Sequence, residues 1–201
     1  MKQNDGLLKM LSEFANGVHR IPILDDSDQV VAICSQMTLF QYIFQKINLG
    51  DNSSLFDDFK KQPLKDISLN QVVNVKESQL AIDAIKVISD KGLSAVGVLS
   101  EDDKLIGCIS ASDLQGFIDE DYHHLASPVL EFQRKSREKK GSSIASLVFV
   151  KIEHTVGDVI QRLLQDKVHR IFVMNDQMSV LGVLSLTDIF RMLYTYLQSK
   201  N

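Results

Sequence analysis

The residues best suited to chemistry in this chain stand at fixed offsets from one another. His19-Arg20 and His169-Arg170 each follow a valine, Val18 and Val168, and fifteen residues after each Arg comes a serine, Ser35 and Ser185. A third serine, Ser110, keeps the same offset from Ala95. An Arg guanidinium grips a phosphate through two parallel N–H bonds, and a neighbouring imidazole adds a donor, so a His-Arg pair at a strand edge suits a nucleotide phosphate. The competing reading is an exposed, ion-pairing Arg beside a half-buried His bonded to a carbonyl; recurrence at an unchanged spacing favours the binding reading. Three residues past the serines stand Thr38, Asp113 and Asp188. Ser-x-x-Asp is the helix capping box, which satisfies free backbone amides and accounts for both acids by itself. A carboxylate at a helix start beside a strand end can also accept from two ribose hydroxyls, as in dinucleotide sites. Thr38 cannot act as such a charged acceptor.

No catalytic constellation emerges. His123-His124 are adjacent and have no spaced partner, the pattern of surface residues rather than metal ligands. There is no glycine-rich phosphate loop, and no nucleophile stands at a telling distance from a base. The chemistry on offer is binding, so the chain is expected not to be an enzyme and to need no metal or cofactor. Cys34 and Cys108 read as small buried apolar residues of two equivalent strands.

The elements that must position these residues repeat three times, 75 residues apart. In the second copy, 72–75 predicts a strand and 80–91 a helix stopped by Gly92. Ala95–Leu99 and Leu105–Ile109 form a hairpin, and Ser110–Asp113 starts a helix with Leu114, Phe117 and Ile118 on its apolar face. The third copy follows with a strand at 147–150, a helix at 156–164, a hairpin of 171–174 with 180–184, and a closing helix at 186–197. The first copy enters at its helix, 7–14, without an opening strand, which suggests a truncated chain or fragment. The unit is β-α-β-β-α, an α/β fold, with expected boundaries at 1–60 for a partial copy, 61–125 and 126–201, the last two forming a pair. The stretches 48–65 and 118–142 read as linkers. The basic run Arg134–Lys140 in the second reads as a solvated loop, or else as a face for an anionic ligand.

The 201 residues carry 44% apolar and 24% charged side chains and a net charge of −4, the composition of a folded globular protein. That balance argues against a general nucleic-acid binder, and no apolar run approaches a membrane span. A reducing, cytoplasmic or nuclear location fits the unpaired cysteines.

The repeat unit resembles the cystathionine-β-synthase (CBS) domain, and the whole chain is similar to the later part of the gamma subunits of AMP-activated protein kinase. Val18-His19-Arg20-Ile21-Pro22 and Val168-His169-Arg170-Ile171 match the His-Arg repeats of that family, Leu93-Ser94-Ala95 matches the repeat lacking the pair, and Asp113 and Asp188 against Thr38 match its alternation of acids. The resemblance implies tandem CBS domains, the first truncated, binding AMP, ADP or ATP between paired repeats as a non-catalytic energy-sensing subunit beside kinase catalytic and scaffold subunits. It further implies that Asp113 and Asp188 hold ribose and that His19, Arg20, His169 and Arg170 converge on phosphates. Ser94 and Ser185 become polar contacts in the clefts, and Ser68 and Ser143 candidates on the base side. Lys76-Glu77-Ser78-Gln79 replaces the family's run of threonines, and Gly97 replaces a proline. The alternative is a structural interaction module with vestigial sites. The unpaired first copy would seek a partner, including a second copy of this chain.

Overall fold

The computed structural model describes residues 1–46, 56–115, 117–139 and 147–200. In the first copy, helix α1 (Leu7–Ala15) precedes strands β1 (Arg20–Leu24) and β2 (Val30–Ser35), and helix α2 (Gln36–Gln41) runs into a π-helical turn at Tyr42–Lys46. Helix α3 (Asp57–Lys60) and a 3-10 turn, Leu64–Asp66, follow. The second copy comprises β3 (Asn74–Lys76), α4 (Ala81–Asp90), β4 (Ala95–Leu99) and β5 (Leu105–Ser110), then 3-10 turns at Ala111–Leu114 and Asp119–Ala126 and helix α5 (Val129–Lys139). The third comprises β6 (Phe149–Lys151), α6 (Val156–Asp166), β7 (Arg170–Met174), β8 (Val180–Ser185) and α7 (Leu186–Gln198).

Among the described residues the strands form three sheets, ordered β1-β2, β3-β4-β5 and β6-β7-β8. β3 runs parallel to β4, and β4 antiparallel to β5. The hairpin register pairs Arg20 with Ser35 and Ala95 with Ser110, which explains the fifteen-residue offset: the first residue of one strand lies across from the last of the next. The hairpin turns are alike. Asp28, Asp103 and Met178 occupy the left-handed region at φ 61°, 61° and 60°. In each turn the residue three positions earlier accepts, through its side-chain oxygen, the N–H four residues on: Asp25 from Gln29 at 2.9 Å, Ser100 from Lys104 at 3.1 Å and Asn175 from Ser179 at 2.8 Å.

The first copy keeps the end of its opening strand, contrary to the sequence expectation. Lys2 bridges Leu24 in parallel, with Gln3 N–H on Leu24 O at 2.9 Å, just as Glu77 N–H meets Leu99 O at 2.8 Å in the second copy. Lys2 and Lys76 make the same clasp: Lys2 Nζ donates to Asp25 O at 3.1 Å and pairs with Asp28, while Lys76 Nζ donates to Ser100 O at 3.0 Å and to Asp103 at 2.8 Å. The lysine N–H in each copy reaches the side chain three residues on, Asp5, Gln79 or His154. A helix one residue shorter, α1 against α4, shifts this segment out of the 75-residue register and hides it.

The described residues divide into two compact units, one formed by Met1–Leu69, Val150–Phe172 and Val183–Asn201 and the other by Asn70–Phe149 and Val173–Gly182. In the first, α1 packs on α7, and the repeat-equivalent Phe40 and Phe190 meet edge to face at 5.9 Å, with Phe14 5.5 Å from Phe190. Phe44, Phe56 and Phe59 extend this aromatic core, and Tyr196 closes it against Phe59 at 5.5 Å. Of the expected linker 48–65, residues 48–55 lie outside the described residues, and the rest is no simple linker: Phe56, Phe59 and Leu64 are buried.

In the second unit, Val75, Ala84, Ile88, Val96, Val98 and Ile109 form the core with Val129 and Phe132 of α5. A further correction concerns 118–142. The helix expected after Ser110 stops as a 3-10 turn at Leu114, and the basic run lies in α5 up to Lys139, not in a loop; Lys140 is outside the described residues. The reason is local. Where the other copies anchor their closing helix with Phe40 or Phe190, this copy has Gln115 followed by a glycine, which neither buries area nor favours helix. The helix that covers β5 is α5, whose Gln133 Nε2 donates to Cys108 O and whose Ser136 Oγ donates to Asp113 O. Gly97 makes close packing possible in β4: a Cβ there would strike Asn74 Oδ1 and lie 2.8 Å from Leu105 Cδ1. Cys34 and Cys108 form no disulfide and are half-buried, less enclosed than expected, and burial pushes the Cys34 thiol pKa up.

Candidate functional site

The start of each closing helix is set by the same cap. Asp188 Oδ2 accepts from Ser185 N–H at 2.8 Å and Ser185 Oγ at 2.6 Å, and Asp113 Oδ2 accepts from Ser110 N–H at 2.8 Å and Ser110 Oγ at 3.0 Å. In the first copy Thr38 N–H donates to Ser35 Oγ at 3.1 Å, and the two hydroxyls lie 2.8 Å apart. Capping thus uses one oxygen of each aspartate. The second oxygen of Asp188 faces Arg191 Nη1 at 3.3 Å; among the described residues no donor reaches Asp113 Oδ1. Both acids are half-buried.

The His-Arg pairs lie one strand away from these caps. The amide after each cap serine returns to the histidine carbonyl, Gln36 N–H to His19 O at 3.1 Å and Leu186 N–H to His169 O at 3.0 Å. Strand and helix start are thereby locked so that His-Arg and Ser-x-x-Asp share one end of the hairpin. All four basic residues belong to the first unit. The pKa of His169 lies below the ordinary imidazole value, first because the surrounding protein desolvates it, then because Arg170, His19 and Arg20 repel its proton. Two copies therefore contribute to one positively charged neighbourhood, with His19, Arg20 and His169 exposed and Arg170 half-buried.

Sequence reasoning missed Gln36. It is 5% exposed; its Oε1 lies 3.1 Å from His19 Nδ1, and its Nε2 donates to Thr187 Oγ1 at 2.8 Å and to Phe14 O at 3.3 Å. With Gln36 Oε1 as acceptor, His19 carries hydrogen on Nδ1 and turns Nε2 outward. The available signal was a break in the repeat, a glutamine where the equivalent positions hold Ala111 and Leu186.

The other expected residues are more dispersed. Ser94 and Ser68 are exposed, Ser94 in the second unit and Ser68 in the first, and Ser143 lies outside the described residues. Asp113 belongs to the second unit. Arg134 pairs with Glu138 and Lys135 with Glu131, each at 2.8 Å and one helical turn apart, and Lys139 reaches Asp121 of the preceding 3-10 turn, the pattern of a structural helix. The His123 and His124 rings lie 3.8 Å apart, tilted by 52°, and among the described residues no cluster of His, Cys, Asp and Glu could hold a metal ion. No described helix is long and apolar enough to cross a membrane.

Comparison with known proteins gives this geometry a family. The profile of the CBS domain matches residues 64–120 and 143–195, more than half of the chain. The bovine 5'-AMP-activated protein kinase subunit gamma-3 is 29% identical over 182 residues, covering 89% of this chain and 35% of its own length. Protein SDS23 of Scheffersomyces stipitis is 27% identical, covering 85% and 33%, and the SNF1-related protein kinase regulatory subunit gamma-like PV42a of Arabidopsis thaliana is 28% identical, covering 96% and 62%. The chain spans about a third of the bovine and yeast relatives. Among solved structures, protein MJ1225 of Methanocaldococcus jannaschii, described as a putative archaeal homolog of γ-AMPK, superposes with a TM-score of 0.67 at 16% identity over 96% of this chain and 66% of its own. An uncharacterized conserved protein of Pyrococcus horikoshii gives 0.68 at 18% identity over 96% and 77%. By the profile match, and with the fold of its structural neighbours, this chain belongs to the CBS-domain family and is similar to the gamma subunits of AMP-activated protein kinase.

Proposed function

We propose that the chain is a non-catalytic regulatory module that binds AMP, ADP or ATP and acts within a protein kinase complex. The observation that carries the proposal is that the His-Arg pairs of two copies lie in one unit, where Gln36 ties His19 to Thr187 beside the cap of the third copy and where Arg170, His19 and Arg20 all help to lower the His169 pKa. A phosphate bound among these donors would accept charge-assisted hydrogen bonds and lower their mutual repulsion. In the first unit Asp188 and Ser185 stand at the same end of a hairpin as His169-Arg170 and would serve the ribose; Asp113 is the corresponding acid of the second unit. The likeness to kinase gamma subunits supports the kinase partnership, and the structural neighbour CBSX2, with a TM-score of 0.52 at 20% identity, was solved in complex with AMP, which supports that choice of ligand.

A scaffold role without ligand is the second reading, and a specific contact favours it: the capping box and Arg191 engage both oxygens of Asp188. Thermal melting separates the two, because a ligand that binds only the folded state raises the midpoint. A rise with millimolar AMP, ADP or ATP, reduced in Asp188→Asn, supports the sensor. Asparagine keeps an acceptor for the cap while removing the charge, at an expected loss on the order of tenfold in affinity. Identical melting with and without every nucleotide would leave the scaffold.

A further inference from the structure

The start of the repeat's first helix is a docking point, and among the described residues two of the three such points are filled from within the chain. In the third copy Val156 N–H donates to Gln62 O at 2.9 Å and Leu64 N–H to His154 O at 3.0 Å. In the second copy Ala81 N–H donates to Ser127 O at 3.0 Å and Val129 N–H to Gln79 O at 2.9 Å. Each dock is a two-bond antiparallel bridge, Pro63 to Thr155 and Pro128 to Leu80. The guests share a design: a proline flanked by two residues whose backbones make the bonds, an aliphatic residue directly after it, Leu64 or Val129, and a phenylalanine four residues to one side, Phe59 or Phe132, all four 0% exposed.

The equivalent position in the first copy is Asp5-Gly6-Leu7, placed by the matching Lys2 clasp and by the shared turn, in which Asp5 N–H donates to Lys2 O at 3.0 Å and Gln79 N–H to Lys76 O at 3.1 Å. Among the described residues no guest backbone meets Leu7 N–H or Asp5 O. Leu7 opens α1, so its N–H has no acceptor within the helix, and the Gly6 cap supplies no side chain. Leu7 and Leu8 are 43% and 40% exposed. Beside them lies an apolar cavity of 220 Å³ lined by both leucines with Leu11, Ile43, Leu193 and Leu197, which continues the seam between α1 and α7.

We propose that this dock receives an extended segment of a partner polypeptide, of the form x-Pro-aliphatic with a nearby aromatic residue. Its backbone bonds Leu7 N–H and Asp5 O, and its apolar side chains fill the cavity. A second copy of this chain is disfavoured as the donor. The chain has three prolines; Pro63 and Pro128 already serve their own docks, and Pro22 lies inside β1 opposite Ile33.

The test uses the full chain and a synthetic peptide copying Phe56–Ile67, which carries the guest pattern. Saturable peptide binding is expected, with new protection of the Leu7 amide in hydrogen exchange. Leu7→Pro removes the donor at a helix position that tolerates proline, and Leu8→Asp charges the cavity rim; each should weaken binding about tenfold or more while the unfolding midpoint shows the fold intact. Absence of binding, or binding unchanged in both variants, overturns the proposal. So does concentration-dependent dimerisation that protects the Leu7 amide without peptide, because the occupant is then a second copy.

Discussion

Gln36 sits where the repeat otherwise places an apolar residue, and it is buried with both ends of its amide engaged. A buried amide is retained only where its bonds are made, and truncation strands the partners. Gln36→Ala is expected to cost about 1–3 kcal/mol in urea unfolding and to release the His19 ring. A loss of a few tenths would show that the bonds to His19 and Thr187 carry no weight. His169 gives a second prediction at this scale. Its pKa is lowered in the folded chain, so between that value and the ordinary imidazole value the fold binds fewer protons than the unfolded chain. Stability from this residue is fully present above the ordinary value, falls as pH drops through the interval and levels off below it. Urea midpoints measured across that interval should fall with pH in the natural chain and flatten in His169→Gln; equal slopes would remove His169 from the account. A phosphate beside His169 would raise that pKa, so on the proposed function nucleotide binding in this interval should take up a proton.

Among the elements, the three helix ends are equivalent: Gly17, Gly92 and Lys167 all turn left-handed, at φ 93°, 59° and 52°. Glycine adopts that conformation freely, whereas a lysine is strained there. Lys167→Gly should therefore stabilise the chain by about 1 kcal/mol, read as a higher urea midpoint; a lower one would mean that its side chain makes compensating contacts. The hairpins and the helices α4, α6 and α7 were legible in the sequence because periodicity and turn residues agree there. The opening strand of the first copy was not, since a one-residue deletion in α1 moved Lys2 out of register with Lys76. The closing helix of the second copy was misread for the opposite reason: its cap, Ser110 to Asp113, is intact, but with Gln115 in place of phenylalanine nothing anchors the next turn. For the site, recurrence pointed to the His-Arg pairs and the Ser-x-x-Asp caps. It could not reveal Gln36, whose value lies in breaking the repeat, nor the contact of Arg191 with Asp188.

At the scale of the molecule, repetition builds two kinds of site from the same unit. The hairpin end gathers charge where two copies contribute His-Arg, and the helix start exposes backbone that, among the described residues, a connector covers in the second and third copies. The central claim is that the gathered charge is a phosphate receptor. A calorimetric titration of ATP and AMP into the natural chain, Arg20→Gln and Arg170→Gln tests it directly. Saturable binding in the natural chain, weakened on the order of tenfold or more in each variant and more for ATP than for AMP, is the predicted result. Binding that ignores both substitutions, or no heat at all from the natural chain, would contradict it.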